Sequence, residues 1–336
     1  MKLLTYSLPD EVLKPRLGAL FAERVVIDLA EARSWAQGAR GLPAEALPDT
    51  LDGLIYAGPT AWDYTRRLLS ALAGQEPLRL KGAHRKPVGY PLEQVILYPP
   101  LLRVASLRDF YAFETHVKNA YASRGREVPP EWYQFPVFYF SNPHAIFGHE
   151  MEVPMPDYTQ ALDYELEVAC VIGRSGIDIR PEQAEDYIFG YTIFNDWSAR
   201  DIQGLEMRVG LGPAKGKDFA SSLGPWIVTA DELADRATGR PGVYDLQMVA
   251  RLNGQERSRG NWKDLHYSFG EMIARASACV PLLPGDVIAS GTVGNGCLLE
   301  LTCGEGPWLK PGDLVELEVE GIGVLRNRVA ARANAG

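Results

Sequence analysis

Short apolar runs bounded by Gly, Pro and Asp recur from about residue 90 to the end of the chain, and they restrict the fold more than any other feature. The runs are QVILYP, ELEVACVIG, FGYTIFND, DLQMVARLNG, DVIASGT and LVELEVEGIGVLRNRV. Runs of this length, rich in β-branched and aromatic residues and separated by turn formers, are typical of strands. Strands and helices do not alternate strictly, which argues against a doubly wound α/β fold. We therefore expect an α+β, β-rich fold with mixed sheets.

Two domains of unequal size are expected. Residues 1–85 are predicted to form a small N-terminal domain, with a strand over Arg24–Leu29 and an amphipathic helix over Trp62–Gly74. A basic stretch containing Gly and Pro, RLKGAHRKPVGYP, then indicates a boundary, and residues 90–333 are predicted to form the larger domain. The helices predicted in the larger domain are Arg108–Ser123 and a second around Leu265–Ser277.

Charge and composition narrow the functional classes. The net charge of −9 argues against a surface that binds nucleic acid or anionic membranes, although a local cation cluster could still bind an anionic substrate. No run of 18 apolar residues and no signal peptide is recognised, so we expect a cytoplasmic protein. Without a CxxC pair, the cysteines are interpreted as reduced core residues; they are Cys170, Cys279, Cys297 and Cys303.

Several common catalytic motifs are absent from the sequence. There is no GxSxG nucleophile elbow and no HExxH zinc helix. The glycine-containing strings GPAKGKD and GTVGNG have the wrong spacing for a phosphate loop or a dinucleotide fingerprint. Serine-hydrolase, nucleotide-phosphate and nicotinamide functions are therefore disfavoured.

Alternating carboxylates mark one of the apolar runs. Asp163, Glu165 and Glu167 occupy every second position of DYELEV, so on a strand they share a face, with Leu166 and Val168 on the other. Carboxylates held side by side repel each other unless water or a cation separates them. A hard divalent cation with oxygen ligands would resolve this repulsion.

The alternation alone does not distinguish a metal site from a solvated strand face, because Glu316, Glu318 and Glu320 show the same pattern. The string FNDWSARDIQ favours a site, since Asp196 stands at the exit of an apolar strand among many polar groups. The alternative is an ordinary turn in which Asp196 or Ser198 caps a short helix.

Longer strings resemble a known family. NDWSARDIQ preceded by YELE, LLPGDVIASGT, GKDFASSLGPW and LKPGDLVELEVEGIGVLRNRV occur in the order found in the fumarylacetoacetate hydrolase (FAH) family. The resemblance covers about residues 90–330, and the chain is similar to bacterial fumarylacetoacetase-like members. It implies a mixed β-sandwich or roll of the family's C-terminal type, with residues 90–333 as the catalytic domain.

The resemblance also implies a metal centre. In the family the two glutamates of the ExE strand and the aspartate of NDW bind a metal, and these match Glu165, Glu167 and Asp196. Fumarylacetoacetase adds an aspartate seven residues before its catalytic histidine, a spacing reproduced by Asp109 and His116. Four carboxylates suit Mg²⁺ or Ca²⁺, with Mn²⁺ as a further candidate.

Catalytic and substrate-binding roles follow from the same resemblance. His116 would be the general base, paired with Glu300, which matches a glutamate in a late LEL strand of the family. The groups implied to stabilise negative charge are Arg200, Gln203 and Lys217. The groups implied to contact substrate are Tyr111, Tyr139 and Thr292. From periodicity alone, His116 also fits a half-buried helix histidine, the tyrosines fit a core, and Thr292 fits a strand-end turn.

One position departs from the family pattern, and two further points bear on the substrate. Met207 stands where a substrate-contacting tyrosine is expected. Either Arg124 or Arg126 could be the family arginine that follows the helix. Asn119 stands where acylpyruvate hydrolases and oxaloacetate decarboxylases of a related branch have a glutamate.

The leading hypothesis is a metal-dependent hydrolase that cleaves a carbon–carbon bond in fumarylacetoacetate or a similar diketo acid. With fumarylacetoacetate the products would be fumarate and acetoacetate, as in tyrosine degradation. A decarboxylase, isomerase or hydratase of small keto acids is the second hypothesis, and a non-catalytic metal-binding β-rich protein is the third. The resemblance also implies a homodimer and a small anionic keto-acid substrate.

Overall fold

A computed structural model describes residues 1–43, 45–83 and 85–331. Strands outnumber helices among these residues, and the predicted α+β, β-rich class is confirmed. The strands are β1 Lys2–Ser7, β2 Arg16–Phe21, β3 Val25–Asp28, β4 Gly89–Pro91, β5 Ile96–Leu97, β6 Leu107–Phe110, β7 Phe138–Ser141, β8 Ile146–Phe147, β9 Glu152–Val153, β10 Leu162–Asp163, β11 Leu166–Ile172, β12 Ile188–Asp196, β13 Ser198–Ala199, β14 Ser221–Thr229, β15 Gln247–Leu252, β16 Gln255–Asn261, β17 Val287–Ala289, β18 Leu314–Val319 and β19 Gly323–Val329.

Helices are fewer and mostly short. The α-helices are α1 Leu29–Arg40, α2 Leu51–Ala57, α3 Pro59–Ala71, α4 Glu114–Ala122, α5 Arg200–Val209, α6 Phe269–Ser277 and α7 Leu298–Leu301. Single-turn or short 3₁₀ helices cover Pro77–Arg79, Leu92–Gln94, Pro130–Tyr133, Pro181–Tyr187, Ala230–Arg236 and Trp262–Asp264. No helix among the described residues is long and apolar enough to cross a membrane.

One mixed sheet of twelve strands runs through the molecule. Ten of its strands follow the order β4-β3-β2-β1-β14-β12-β11-β17-β6-β7, while β5 pairs with β1 and β8 pairs with β14. The N-terminal strands belong to this sheet, because β1 pairs antiparallel with β14, with Lys2 opposite Val228. The division into residues 1–85 and 90–333 stays a prediction, and the sheet runs across it.

The large sheet is covered on both faces. A five-stranded sheet of order β16-β15-β18-β19-β9 packs against it through β12, β14, β18 and β19. Helices α1, α2 and α3 cover part of the other face. Strand β11 contributes to both cores, since Val168 and Cys170 face one and Ala169 and Val171 face the other. A strand buried on both faces reads as a continuous apolar run, as this one does.

The predicted helix over Arg108–Ser123 was wrong in its first half. Leu107–Phe110 is strand β6, which pairs in parallel with β17 and antiparallel with β7. The helix begins only at Glu114. Sheet pairing on both sides therefore outweighs the helical periodicity of the segment, and it places Asp109 and His116 on different elements.

Two other predicted helices exist with shifted starts. The helix predicted over Trp62–Gly74 is α3, Pro59–Ala71, with a proline in its first turn. The helix around Leu265–Ser277 is α6, which starts at Phe269 because Ser268 and Glu271 form a capping box.

Trp262 lies at the centre of the core between the two sheets, and its loss should destabilise the whole fold. Its indole is fully buried, packs edge-on against Tyr191, and donates Nε1–H to the carbonyl of Gly242 at 3.1 Å. We expect Trp262→Ala to lower the free energy of unfolding by about 3–5 kcal/mol, measured by urea denaturation. Leu13→Ala, at a side chain 94% exposed, should change it by less than about 0.5 kcal/mol. Equal effects of the two variants would contradict this core assignment.

Candidate active site

A cavity of about 230 Å³ opens beside the ends of β6, β11 and β17. Its wall combines charged groups with an apolar side. The polar lining includes Asp109, His116, Glu165, Glu167, Arg200, Gln203, Lys217 and Thr292. The apolar lining includes Ala120, Val137, Phe138, Met207, Pro213 and Leu299. A concave pocket with converging polar groups and an apolar wall is typical of sites for small organic ligands.

Three carboxylates meet at the floor of this cavity. Asp109, Glu165 and Glu167 each place an oxygen within 4.8 Å of the other two. Asp196 adjoins this group, because the Tyr139 hydroxyl bonds to its carboxylate and also to Asp109 at 3.3 Å. The four carboxylates predicted as metal ligands are thus brought together, all buried.

Local backbone contacts orient the two glutamates. The backbone N–H of Glu165 donates to the Asn195 side-chain oxygen at 2.9 Å. The N–H of Gly291 donates to Glu167 Oε2 at 2.9 Å, and the Thr292 hydroxyl lies 3.4 Å from Oε1. Gly291 has φ of +78°, and an added Cβ would lie 2.4 Å from the carbonyl oxygen of Phe110. A side chain at this position would collide with Phe110, so glycine is needed for the turn that directs the Gly291 N–H to Glu167.

Lys217 and Arg200 supply the positive charge of the site. The Lys217 ammonium lies 2.5 Å from Glu165 Oε2 and 2.5 Å from Asp196 Oδ2. The Arg200 guanidinium bonds to Glu165 Oε1 at 2.8 Å and to Gln203 Oε1 at 3.1 Å. Both cations are buried, so these bonds are short, charge-assisted and shielded from water.

Asp163 has a role that the alternation in the sequence did not reveal. It is not part of the carboxylate group, although it was expected on the same strand face. Its Oδ2 accepts from Arg200 Nε at 2.8 Å and from the backbone N–H of Leu299 at 3.0 Å, while its Oδ1 accepts from Leu298 at 2.8 Å. Asp163 therefore ties Arg200 to the first turn of α7. The only sequence signal was its position two residues before Glu165.

Negative charge exceeds positive charge in this buried region. Five carboxyl groups share two cations; they are Asp109, Asp163, Glu165, Glu167 and Asp196, with Arg200 and Lys217. Burial, and then the charge of Asp196, raises the pKa of Asp109 well above its usual range. Burial and Asp109 do the same for the pKa of Glu167. Burial would also raise the pKa of Glu165, but Lys217 and Arg200 outweigh it and lower that pKa.

The donor set fits a hard divalent cation. The inner Oδ1 atoms of Asp109 and Asp196 have no hydrogen-bond partner among the described residues. Unpaired buried carboxylate oxygens are costly unless a proton or a cation meets them. Oxygen donors in this number and arrangement are those that Mg²⁺, Ca²⁺ and Mn²⁺ accept.

His116 and Glu300 form a pair at the side of the cavity. Nδ1 of His116 lies 2.7 Å from Oε2 of Glu300, although Nδ1 makes no well-directed hydrogen bond among the described residues. Burial would raise the pKa of Glu300, but His116 and several hydrogen bonds outweigh burial and lower it. The Tyr111 ring packs edge-on against the imidazole, with 5.2 Å between centroids. His116 is buried, so it is not the half-buried helix histidine of the alternative interpretation.

The expected strand around Glu300 was wrong. Glu300 lies in the short helix α7. Its carboxylate accepts the backbone N–H of Asn295 at 2.9 Å and that of Gly296 at 3.1 Å. The apolar LLEL run is too short to distinguish a strand from a helical turn by periodicity. Two contacts of Glu300 were not predicted from the sequence: Asn119 Nδ2 donates to its Oε1 at 3.0 Å, and Cys297 Sγ lies 3.3 Å from its Oε2.

The remaining predicted residues divide between the pocket and its surroundings. Tyr111, Tyr139, Thr292 and Gln203 line the cavity, whereas Asp196 and Glu300 lie behind its surface. Of the two candidate arginines, Arg124 is in the lining and Arg126 is not. Met207, the departure from the family tyrosine, is also in the lining. The helix α5 starts at Arg200 without a side-chain cap, so the alternative that Asp196 or Ser198 caps it does not hold.

Surface position explains why the second alternating run is not a site. Glu316 and Glu318 lie on β18 at the edge of solvent, and Glu318 is paired with Arg251 at 2.6 Å. Burial, which the sequence pattern does not encode, separates this run from the first.

The four cysteines were expected to be core residues. This is confirmed for Cys170 and Cys297, which are buried, whereas Cys279 and Cys303 are exposed.

Comparison with known proteins agrees with this geometry. The family profile described as fumarylacetoacetate (FAA) hydrolase C-terminal matches residues 106–330. A fumarylacetoacetase of Oryza sativa subsp. japonica is 31% identical over 305 residues, covering 76% of this chain and 70% of that protein. The oxaloacetate tautomerase YisK of Bacillus subtilis is 30% identical over 318 residues, covering 93% and 95%.

A solved structure shows the same architecture. The fumarylacetoacetate hydrolase from Exiguobacterium antarcticum superposes with a TM-score of 0.68 at 27% identity, covering 99% of this chain and 100% of that one. The expected sheet-rich α+β fold of this type is thereby confirmed. With a profile that matches most of its length and relatives at 30% identity or more, the chain belongs to the fumarylacetoacetate hydrolase family.

Proposed function

We propose that this protein is a divalent-metal-dependent hydrolase that cleaves the carbon–carbon bond of fumarylacetoacetate or a similar small diketo acid. The observation that carries the proposal is the placement of the His116–Glu300 pair on the same cavity as the buried carboxylate group. A metal-binding protein without catalysis needs no such pair, because holding a cation requires no general base.

The four carboxylates of Asp109, Glu165, Glu167 and Asp196 would hold the cation. A divalent ion bound there would polarise a chelated carbonyl and the neighbouring enol oxygen of the substrate. Lys217 bonds to Glu165 and Asp196 and keeps a third N–H, which can be directed towards developing negative charge.

His116 would take a proton from the attacking water. Its Nδ1 faces Glu300, so Nε2 is the nitrogen left to act as base. The Glu300 carboxylate, whose pKa is lowered, stays ionised and stabilises the imidazolium that forms. Water adds to the ketone carbon, the bond to the adjacent carbon breaks, and its electron pair remains on the departing enolate, which His116 then protonates.

Arg200 and Gln203 would stabilise the anionic groups. Gln203 accepts from Arg200 through Oε1, which leaves its two amide N–H groups to donate into the cavity. Asp163 holds the Arg200 guanidinium in place by accepting from its Nε. Donors fixed before the reaction stabilise developing charge without reorganisation, and this is usually a large part of catalysis.

Arg124 and Met207 bear on the choice of substrate. Arg124 is a further cation in the cavity lining, and it would bind a second carboxylate of a dicarboxylic substrate. Met207 adds a flexible apolar surface where the family has a tyrosine hydroxyl, and it would favour an apolar chain between the two ends.

A keto–enol isomerase is the second candidate. The similarity to the oxaloacetate tautomerase of Bacillus subtilis spans 93% of this chain, more than the 76% matched by the rice fumarylacetoacetase. Tautomerisation would use the same His116 base without attack by water. Asn119 donates to Glu300 and leaves Glu300 as the acid paired with His116, an arrangement that serves either reaction.

Divalent-cation binding tests the carboxylate group directly. We expect isothermal titration with Mg²⁺ or Mn²⁺ to show one site per chain, and Glu167→Gln to weaken binding by at least about tenfold. The matched control is Glu318→Gln, which changes an alternating strand glutamate that is 39% exposed at the side chain and should leave the affinity unchanged. Equal affinity of the wild type and Glu167→Gln would place the cation elsewhere.

Loss of fumarylacetoacetate ultraviolet absorbance tests the reaction. We expect loss that needs Mg²⁺, stops with chelator, and falls by about 10²–10⁴-fold in His116→Ala. His144→Ala, at an exposed histidine outside the cavity, should keep the wild-type rate.

Two results would count against the hydrolase. A wild-type protein that binds Mg²⁺ but leaves fumarylacetoacetate intact, while it accelerates loss of enol oxaloacetate, would favour the tautomerase. A His116→Ala variant as fast as the wild type would reject the base assignment.

A further inference from the structure

The side chains around Glu300 form a second group of potential metal ligands, separate from the carboxylates. His116, Cys297 and Glu300 each place one donor atom within 4.8 Å of the other two. The donors differ in kind from the oxygen-only set of the carboxylate group, since they are one imidazole nitrogen, one thiol sulfur and one carboxylate oxygen. Nitrogen and sulfur donors select Zn²⁺ and similar soft ions over Mg²⁺ and Ca²⁺.

Both hydrogen-bearing donors converge on a single oxygen atom. Oε2 of Glu300 lies 2.7 Å from His116 Nδ1 and 3.3 Å from Cys297 Sγ. Around a tetrahedral Zn²⁺ with bonds of about 2.0–2.3 Å, neighbouring ligand atoms lie roughly 3.3–3.6 Å apart. The sulfur–oxygen distance therefore already suits the ion, and the nitrogen–oxygen distance must open by only about 0.6 Å.

Two observations indicate that His116, Cys297 and Glu300 do more than fill space in the core. The Cys297 side chain is fully buried, and its sulfur meets a carboxylate in place of the apolar surroundings of an ordinary core cysteine. Nδ1 of His116, also buried, has no well-directed hydrogen bond despite the nearby carboxylate. His116 borders the cavity, which provides a path for a small ion from solvent.

We propose that His116, Cys297 and Glu300 form an inhibitory site for a thiophilic divalent cation such as Zn²⁺. The ion replaces the Cys297 thiol proton, which leaves to solvent, and it binds the lone pair of His116 Nδ1. The single N–H proton of the neutral imidazole is then confined to Nε2. Since Nε2 is the nitrogen assigned to take a proton from water, the occupied site switches the base off.

The surroundings of these three side chains keep the thiol unreactive when no such ion is bound. Burial, and then the charge of Asp163, raises the pKa of the Cys297 thiol well above its usual range, so the thiol stays protonated and unreactive. Asn119 and the backbone N–H groups of Asn295 and Gly296 hold the Glu300 carboxylate in place. A cation that arrives therefore meets one ligand already fixed.

Cadmium is the probe for binding, because a Cd²⁺–thiolate bond gives a charge-transfer band in the ultraviolet. The titration uses the full chain saturated with Mg²⁺, which occupies the carboxylate group. We expect a band that saturates at one Cd²⁺ per chain and is absent in Cys297→Ala. The control is Cys303→Ser, at an exposed cysteine six positions along the chain, which should keep the band. A band of equal strength in Cys297→Ala would overturn the site.

Zinc inhibition tests the consequence for catalysis, and this half of the proposal rests on the function proposed above. With Mg²⁺ saturating and each variant normalised to its own zinc-free rate, half-inhibition of Cys297→Ala should need at least about tenfold more Zn²⁺ than the wild type. Cys303→Ser should respond as the wild type does. Equal zinc sensitivity of the wild type and Cys297→Ala would overturn the inhibitory role.

The two measurements fail independently. The cadmium band needs no substrate, so a band that depends on Cys297 in a protein without hydrolase activity would uphold the site and reject the proposed function. Hydrolysis of fumarylacetoacetate by a protein that shows no cadmium band would uphold the proposed function and reject the site.

Discussion

The site depends on the burial of like charges at one edge of the large sheet. Strands β12, β11, β17 and β6 are neighbours in the sheet, so the end of β12, the start of β11 and the end of β6 lie side by side. Asp196, Glu167 and Asp109 stand at these positions. Bringing them together without water is unfavourable unless positive charge accompanies them. Lys217 and Arg200 supply part of it, and the proposed divalent cation would supply the remainder.

The same constraint connects the proposed cation site to the proposed base, His116. Arg200 bonds to Glu165 on one side and to Asp163 on the other, and Asp163 accepts two backbone N–H groups from the first turn of α7. That helix carries Glu300, which faces His116 on α4. The carboxylate group and the His116–Glu300 pair are therefore parts of one buried polar network, in which each member's position depends on the others. Such coupling explains how a site assembled from short, separate elements can hold a fixed geometry.

The strands and three members of the carboxylate group follow from the sequence on physical grounds alone. The alternation in DYELEV indicated Glu165 and Glu167, and the strand exit of FND indicated Asp196; the structure brings these three carboxylates together. Asp163 lies outside the carboxylate group because it belongs to β10, which pairs with β13 in a separate two-stranded sheet. The first run could not be distinguished from the partly exposed Glu316–Glu320 run, because periodicity gives the face of a strand and not what covers it. Asp109, His116 and Glu300 came only from family resemblance. Their meeting depends on sheet pairing and on a short helix, which are tertiary features that no local pattern records.

We propose that a divalent cation holds the four buried carboxylates together. The most direct measurement is a crystal structure of the protein grown with Mn²⁺, with anomalous scattering recorded at the manganese edge. We expect one anomalous peak bonded to oxygens of Asp109, Glu165, Glu167 and Asp196. A map without a peak there, with the Lys217 ammonium alone bridging Glu165 and Asp196, would contradict it.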